Sequence, residues 1–284
     1  MEPECVPCLI KRCIYETKLV SPGKECQATK VALKVLSSLY REGVVSAEVA
    51  TVVHKQVYDL LEDNDPYREI KEHSNLVAEK LLPRARELVE EWGFRGAVLV
   101  SIVGNVMDFG FRDDFDSPEL LTEMFEELVK EGIGYDDSQR IEKLLNKARR
   151  VVYLTDNCGE IVLDIPLLEA IKGKNTRLTL VVKGEPVLTD ATMEDVDRYG
   201  IQEVVDQVLT TGGFAVGVDL ENMPEELEEE MKMAELIIAK GMANWESLSE
   251  TSYKPIAYLT RSKCGPVARS MGVEEDINVA KLFE

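Results

Sequence analysis

Residues 155–160, in the middle of the chain, place hard oxygen ligands at the end of a predicted strand. The preceding run 151–154 is short, β-branched and aromatic, which is typical of a buried strand, and the following apolar run predicts a helix. In open parallel α/β sheets, ligands bind at that edge. Asp156 and Asn157 offer carboxylate and amide oxygens, which suit Mg²⁺ or Mn²⁺. An ordinary Asx turn is the alternative for such a pair taken alone.

A second acidic residue, Asp190, follows the next predicted strand and precedes a predicted helix. One interpretation is that Asp190 caps this helix or complements its dipole, a role that involves no metal. If the sheet is parallel, its loop borders the loop that holds Asp156 and Asn157. Three oxygen ligands from neighbouring loops, completed by water, would then form a divalent-cation site.

Polar residues also follow the later predicted strands. Asn244 and Glu246 come after the fourth strand, and Lys263 comes after the fifth. Lys263 could pair with an anion at a helix N-terminus, or it could be a solvated surface lysine. Asn244 and Glu246 could also be turn and capping residues. Because all of these groups gather at one edge of the sheet, the pattern favours metal and phosphate chemistry.

The elements that must position these residues change in character near residue 149. Before it, apolar side chains recur at helical spacing over residues 27–41, 46–62, 76–92 and two stretches of 117–149. Residues 63–66 predict a turn. The small and apolar residues of 96–108 fit either a strand or a buried helix, and their length favours the helix.

After residue 149, short apolar strands alternate with helices. The predicted strands are 150–155, 177–183, 204–210, 235–240 and 256–261, and the predicted helices are 160–172, 191–199, 224–233 and 264–272. This order predicts an α/β fold with a parallel sheet and right-handed crossovers. We expect a helical region, residues 1–148, packed as one body on an α/β catalytic domain, residues 149–284.

The composition limits the partners of the protein. Its 284 residues include 53 acidic and 33 basic side chains, a net charge of -20, which disfavours nucleic acid and anionic membrane surfaces. No apolar run approaches the roughly 20 residues of a membrane span, and the acidic start is unlike a signal peptide. We therefore expect a cytoplasmic protein in which the six cysteines are reduced. The oligomeric state stays open.

Taken together, several motifs resemble the damage-control phosphatases, a metal-dependent family first catalogued as domain of unknown function 89. The matching strings are residues 155–160, Asp190-Ala191-Thr192, Lys240-Gly241 with Asn244 and Glu246, Lys263-Cys264 with Val267-Ala268, Gly104-Asn105 with Asp108, and Asp65-Pro66-Tyr67. They span nearly the whole chain. Cys5-Val6-Pro7-Cys8 resembles the CxxC motif of a largely archaeal and bacterial subfamily, which implies an archaeal source.

The resemblance implies a three-layer α/β/α core with a mainly parallel sheet and a helical N-terminal region. It further implies that Asp156, Asn157 and Asp190 are catalytic and hold a divalent metal: Mn, Ni, Co or Mg. The reaction would be hydrolysis of phosphate monoesters of small metabolites, such as sugar phosphates or damaged nucleotides, with Asp156 as nucleophile or general base. The implied substrate-binding residues are Asn105, Asp108, Glu160, Lys183, Asn244, Glu246 and Lys263.

The chain departs from the family pattern at two places. Thr189 stands where an Asn often precedes the Asp, which changes how the metal ligands are held. Met242 and Ala243 replace a more polar or glycine-rich pair, and this leaves the choice of substrate open.

The amino-terminal cysteines allow three interpretations. Cys5, Cys8, Cys13 and Cys26 could bind zinc or an iron–sulfur cluster, although their spacing fits no fixed metal motif. Cys5 and Cys8 could form a redox couple or a metal contact near the active site. All four could also be small buried helix residues.

Other chemistries are less well supported. The histidines His54 and His73 lie in predicted helices as surface or interhelical residues, which disfavours histidine-centred hydrolysis. Motifs for dinucleotide binding, P-loops and serine hydrolases are absent from the sequence. An S-adenosylmethionine-dependent carboxyl methyltransferase stays an alternative, with Asp190 or Glu185 on the ribose. So does a non-catalytic metal- or redox-sensing protein centred on Cys5 and Cys8.

Overall fold

The structure, a computed structural model, describes residues 1–106 and 117–284. Helices form its first part. They are α1 (Cys5–Val20), α2 (Glu25–Leu39), α3 (Ser46–Leu61), α4 (Arg68–Gly104), α5 (Glu119–Glu131) and α6 (Ser138–Leu145). The helices predicted over 27–41 and 46–62 are confirmed, and the turn predicted at 63–66 separates α3 from α4.

The long helix α4 resolves the ambiguous segment that begins at residue 96. A bend at Gly93, with φ 61° and ψ -141°, divides α4 into two parts. All residues from 96 to 104 are buried, which is why their apolar pattern carries no helical stripe. The prediction of a buried helix is therefore confirmed up to Gly104.

The second part of the chain alternates strands and helices. The strands are β1 (Tyr135–Asp136), β2 (Arg150–Leu154), β3 (Arg177–Val182), β4 (Gln207–Thr210), β5 (Leu236–Lys240), β6 (Ile256–Arg261) and β7 (Asn278–Phe283). The helices are α7 (Glu160–Lys172), α8 (Met193–Tyr199), α9 (Glu225–Met233), α10 (Gly241–Leu248) and α11 (Gly265–Met271). Sequence reasoning missed α10, β1 and β7.

The seven strands form one sheet in the order β1-β7-β6-β5-β2-β3-β4. Neighbouring strands are parallel except β6 and β7, which are antiparallel. From β2 the chain first adds β3 and β4 on one side, and it then returns to place β5 on the other side. The carboxyl ends of β2 and β5 therefore flank a topological switch point, where an α/β sheet opens a crevice for ligands.

Helices cover both faces of the sheet. On β2, Val151 and Tyr153 join the hydrophobic cluster that includes α4 and α7, whereas Val152 and Leu154 join the cluster formed with α9, α10 and α11. This two-sided burial explains the continuous apolar run of β2. It also confirms the predicted three-layer α/β/α class. The boundary at residue 148 stays a prediction, because residues from both sides of it share one hydrophobic cluster.

Among the helices of residues 1–106 and 117–284, none combines the length and the apolar composition that crossing a membrane requires.

Candidate active site

A cavity of about 590 Å³ lies at the carboxyl edge of the sheet, and α1 and α3 form its opposite wall. This volume is within the range of small-molecule sites. The predicted site residues that line it are Cys5, Cys8, Asp156, Asn157, Asp190, Glu246 and Lys263. The cavity thus collects residues that follow β2, β3, β5 and β6 together with the beginning of α1.

Backbone pairing brings the loops after β2 and β3 together. Asn157 and Asp190 form an isolated antiparallel β-bridge. The N–H of Ala191 donates to the carbonyl oxygen of Asp156 at 2.8 Å. The two loops are therefore neighbours, as the parallel sheet predicted, and Asp156, Asn157 and Asp190 share one corner of the cavity.

The carboxylate of Asp156 is held by two amide groups. Asn105 Nδ2 and Asn157 Nδ2 each donate to Asp156 Oδ2 at 2.8 Å. Gly241, at the start of α10, makes room for this carboxylate, because a Cβ atom there would lie 1.9 Å from Oδ2. Its φ of 76° is also a value that favours glycine.

Two more contacts fix the remaining candidate ligands. Thr189 Oγ1 donates to Asn157 Oδ1 at 2.6 Å, so the residue that departs from the family pattern still contacts the ligand next to it. Lys183 Nζ lies 3.3 Å from Asp190 Oδ2 and donates to the carbonyl oxygen of Ala215 at 3.1 Å. Lys183 is buried and orients Asp190, while its role as a substrate contact stays a prediction.

A buried ion cluster lies behind the site. Lys240 Nζ is 2.6 Å from both Glu160 Oε1 and Asp164 Oδ1, and all three side chains are fully buried. Burial raises the pKa of Asp164 to about 6, against the opposing effect of Lys240. Glu160 Oε2 in turn accepts from Asn105 Nδ2 at 2.9 Å and from Asn157 Nδ2 at 3.0 Å. Glu160 therefore supports the amides that hold Asp156.

Sequence reasoning missed Lys240 and Asp164 as members of this network. The available signal was an acidic pair four residues apart, Glu160 and Asp164, in an otherwise apolar helix. Such a pair needs a buried cation, and the last residue of β5 supplies it.

Lys263 and Glu246 both line the cavity. Lys263 Nζ donates to the carbonyl oxygen of Asn105 at 2.8 Å, and its side chain is buried. Burial raises the pKa of the half-buried Glu246 to about 7. A cation and a carboxyl group that can hold a proton near neutral pH thus face the same space.

The predicted substrate contact Asn244 hydrogen-bonds to the backbone. Asn244 Nδ2 donates to the carbonyl oxygens of Thr155 at 3.0 Å and Lys240 at 2.7 Å, so this amide joins the ends of β2 and β5. Asp108 lies outside the described residues.

The four amino-terminal cysteines do not gather at one point. Cys5 and Cys8 lie in the first turn of α1 and line the cavity together with Cys264, whereas Cys13 is buried and Cys26 is exposed. All four belong to the described part of the chain, where none of them forms a disulfide. A four-thiolate centre is therefore absent from this arrangement, and a role for the Cys5–Cys8 pair stays a prediction.

One group of three possible metal ligands does converge within the described ranges: Cys13, Glu16 and His54. Their ligand atoms lie within 4.8 Å of one another, and all three residues are buried. His54 Nδ1 is 2.9 Å from Glu16 Oε2. Of the two positions predicted for His54, surface or interhelical, the structure has the interhelical one, and His54 also lines the cavity.

The oxygen-rich corner of Asp156, Asn157 and Asp190 fits a divalent metal better than the Cys13 group does. It offers two carboxylates and an amide at the cavity wall, a donor set that hard cations prefer. Lys183 holds Asp190, and the Asn105 and Asn157 amides hold Asp156. Lys240 acts one step behind them, because it pairs with Glu160, which in turn accepts from both amides. The residues present therefore match the metal that the motifs imply.

The sequence model of the damage-control phosphatase ARMT1-like domain matches residues 1–279. The chain belongs to this family. Membership confirms the resemblance drawn from the motifs. It also confirms that the protein is a metal-dependent phosphatase of metabolite damage control, without specifying its substrate.

Relatives over the full length agree with this assignment. A damage-control phosphatase of Archaeoglobus fulgidus is 41% identical, covering 100% of this chain and 99% of its own. A damage-control phosphatase of Pyrococcus horikoshii is 33% identical over 95% of this chain and 93% of its own. The crystal structure of a DUF89 family protein from Pyrococcus horikoshii superposes with a TM-score of 0.88 at 31% identity, covering 99% of this chain and 98% of that one.

Proposed function

We propose that Asp156, Asn157 and Asp190 form the catalytic metal centre of this phosphatase and that its substrates are phosphate monoesters of small metabolites, such as sugar phosphates or damaged nucleotides. The observation that carries the proposal is the convergence of these three residues at the wall of one cavity. Two separate loops supply them, and the amides of Asn105 and Asn157 orient the Asp156 carboxylate.

The three oxygen donors would hold Mn²⁺, Ni²⁺, Co²⁺ or Mg²⁺. When bound, such an ion offsets phosphoryl charge and makes a bound water a better nucleophile. The chain's own contribution is orientation. Asn105 and Glu160 fix the side chains of Asp156 and Asn157, while Lys183 fixes Asp190.

We assign substrate binding to Lys263 because the proposed substrate is an anion. The chain carries a net charge of -20, so an anionic substrate needs local positive charge at its site. Lys263 lies at the cavity wall, and its contact with the carbonyl oxygen of Asn105 connects it to the residue that orients Asp156. Lys263 would therefore bind the phosphoryl group next to the metal corner.

The volume of the cavity supports a small substrate. A volume of about 590 Å³ accommodates a sugar phosphate or a nucleotide. The overall acidity of the chain also supports the predictions that it binds neither nucleic acid nor an anionic membrane surface. The archaeal origin of both named relatives supports an archaeal source.

The test is hydrolysis of p-nitrophenyl phosphate by the purified protein with each of the four metals. Activity should require metal and should be abolished by a chelator and by Asp156→Ala. The matched control is Asp197→Ala, which removes an exposed aspartate of α8 outside the cavity lining. Wild-type activity in Asp156→Ala would refute the assignment of the centre.

A further inference from the structure

His54 occupies a position that the metal centre alone does not explain. It lies on α3, is fully buried, and lines the same cavity as Asp156 and Asp190. Its Nδ1 is 2.9 Å from Glu16 Oε2 and 3.1 Å from Glu16 Oε1. Its Nε2 has no hydrogen-bond partner anywhere in residues 1–106 and 117–284.

These contacts give the two ring nitrogens different roles. The Glu16 carboxylate accepts a hydrogen bond from Nδ1–H, which fixes both the tautomer and the ring orientation. A buried polar atom without a partner is costly, so native proteins keep one mainly where a ligand or water completes it. Nε2 is therefore the nitrogen that is available to exchange a proton with a bound molecule.

The thiol of Cys13 supports this arrangement from the opposite side of Glu16. Burial and, next, the charge of Glu16 raise the pKa of Cys13, which keeps it a neutral thiol that hydrogen-bonds the carboxylate. Glu16 is thus held between two donors. Hydrogen bonds within the group of Cys13, Glu16 and His54 therefore use its polar atoms, except Nε2 of His54.

Helix α3 also contacts the loop that carries Asp190, through a hydrogen bond and apolar packing. Tyr58, one turn beyond His54, accepts a hydrogen bond from the N–H of Leu188 at 3.0 Å. Tyr58, Val187 and Leu188 belong to one hydrophobic cluster. These contacts fix the position of His54 relative to Asp190.

We propose that His54 is the general acid of the reaction and that Glu16 is the positioning residue that holds its ring. The inference rests on the proposed phosphatase function. In catalytic histidines of other enzymes, a buried carboxylate on one nitrogen orients the ring and stabilises the imidazolium. His54 lines the cavity from α3, and Glu16 on α1 contacts its ring, so the helical layer contributes to the chemistry as well as to packing.

The step balances without another reagent. A water oxygen attacks phosphorus, and the bond between phosphorus and the ester oxygen breaks. His54 enters the step as the imidazolium, with Nδ1–H on Glu16 and a second proton on Nε2. The bonding pair stays on the ester oxygen, which takes the Nε2 proton and leaves as an alcohol, and His54 becomes the neutral Nδ1–H tautomer. Of the two protons of the attacking water, one remains on the product phosphate and the other returns to His54 through solvent.

Glu246 is the competing proton donor. Its carboxyl group lines the cavity and hydrogen-bonds the side chain of Ser46. His54 is favoured because it has both an orienting carboxylate and an unsatisfied nitrogen. The experiment therefore has to separate these two residues.

The test compares two aryl phosphates of similar shape, phenyl phosphate and p-nitrophenyl phosphate, with His54→Asn. The variant keeps an N–H donor near Nδ1 for Glu16 and lacks Nε2. Because p-nitrophenolate leaves readily without a proton, its kcat should fall by less than about 5-fold. The kcat for phenyl phosphate should fall by about 100-fold or more, the range of general acid catalysis.

A second test variant, Glu16→Gln, and a control variant, His73→Asn, accompany His54→Asn. Glu16→Gln should also lower kcat more on phenyl phosphate than on p-nitrophenyl phosphate. The loss should be smaller than in His54→Asn, because the hydrogen bond to His54 remains while the charge of Glu16 is lost. His73→Asn should change neither rate, since His73 is an exposed histidine paired with Glu119. Thermal unfolding confirms that each variant is folded. If His54→Asn does not fold, His54→Gln, which places an amide near Nε2, replaces it with the same expected outcome.

Several results would overturn the inference. Equal losses on both substrates would make His54 a structural residue. A leaving-group-dependent loss in Glu246→Gln, with none in His54→Asn, would assign the proton to Glu246. Zinc that copurifies and is lost in Cys13→Ser would make the cluster a metal site. A wild-type protein inactive on both substrates with all four metals would instead refute the proposed function itself.

Discussion

Gly241→Ala tests how closely the fold is built around Asp156. The added Cβ would lie 1.9 Å from Asp156 Oδ2, whereas ordinary contacts begin at 3.4 Å, so the two groups must separate by about 1.5 Å. Misplacement of a reacting group by about 1 Å costs about 100-fold in rate. We expect kcat on p-nitrophenyl phosphate to fall at least that far, together with metal affinity. The left-handed backbone adds a stability cost of about 1–2 kcal/mol.

Gly200→Ala is the matched control for this variant. Gly200 also has a left-handed φ, 63°, but no atom lies within 4 Å of the added Cβ. It should therefore lose similar stability in denaturant unfolding while keeping wild-type activity and metal affinity. Gly241→Ala with wild-type kcat and metal affinity would refute the claim that Gly241 makes room for the Asp156 carboxylate.

Three further predictions concern the charged residues around the site. Lys263→Ala should raise the activation free energy that kcat/KM reports by about 2–4 kcal/mol, because a desolvated charge contact is lost. Metal affinity in calorimetry should be kept or slightly raised, and a wild-type kcat/KM would contradict a substrate contact by Lys263. Lys240→Met should lower the free energy of unfolding in guanidinium by about 3–5 kcal/mol, since Glu160 and Asp164 lose their buried cation; an unchanged midpoint would contradict the ion cluster. Burial raises the pKa of Glu246 from 4.5 to about 7, so the stability it contributes is complete below about pH 4.5 and is lost as the pH rises through 7. The Tm of the wild type should therefore fall relative to Glu246→Gln across that window, and parallel Tm profiles would contradict this.

Much of the sheet was predictable because its strands are buried on both faces. Such strands are short continuous apolar runs, and β2, β3, β5 and β6 were found within a residue of their bounds. Helix α10 was missed because it begins directly at Gly241, without a loop after β5 to mark it. Strand β7 was missed because its pairing with β6 is antiparallel and breaks the β-α rhythm.

The candidate ligands were predictable for a related reason. Asp156 and Asn157 come directly after β2, Asp190 lies in the loop after β3, and parallel strands place their carboxyl ends at one edge. The proposed role of His54 could not be predicted from sequence, since it depends on how α1 and α3 pack over that edge. The position of His54 in the sequence does not reveal that its ring contacts Glu16, 38 residues earlier, or that it lines the cavity. Tertiary packing, rather than any motif, brings the helical layer to the site.

Anomalous X-ray scattering from crystals soaked in Mn²⁺ tests the central claim most directly. The account predicts one strong manganese peak within coordination distance of oxygen atoms of Asp156, Asn157 and Asp190, and no such peak in Asp156→Ala crystals. A peak at Cys13, Glu16 and His54, with none at the Asp156 corner, would contradict it.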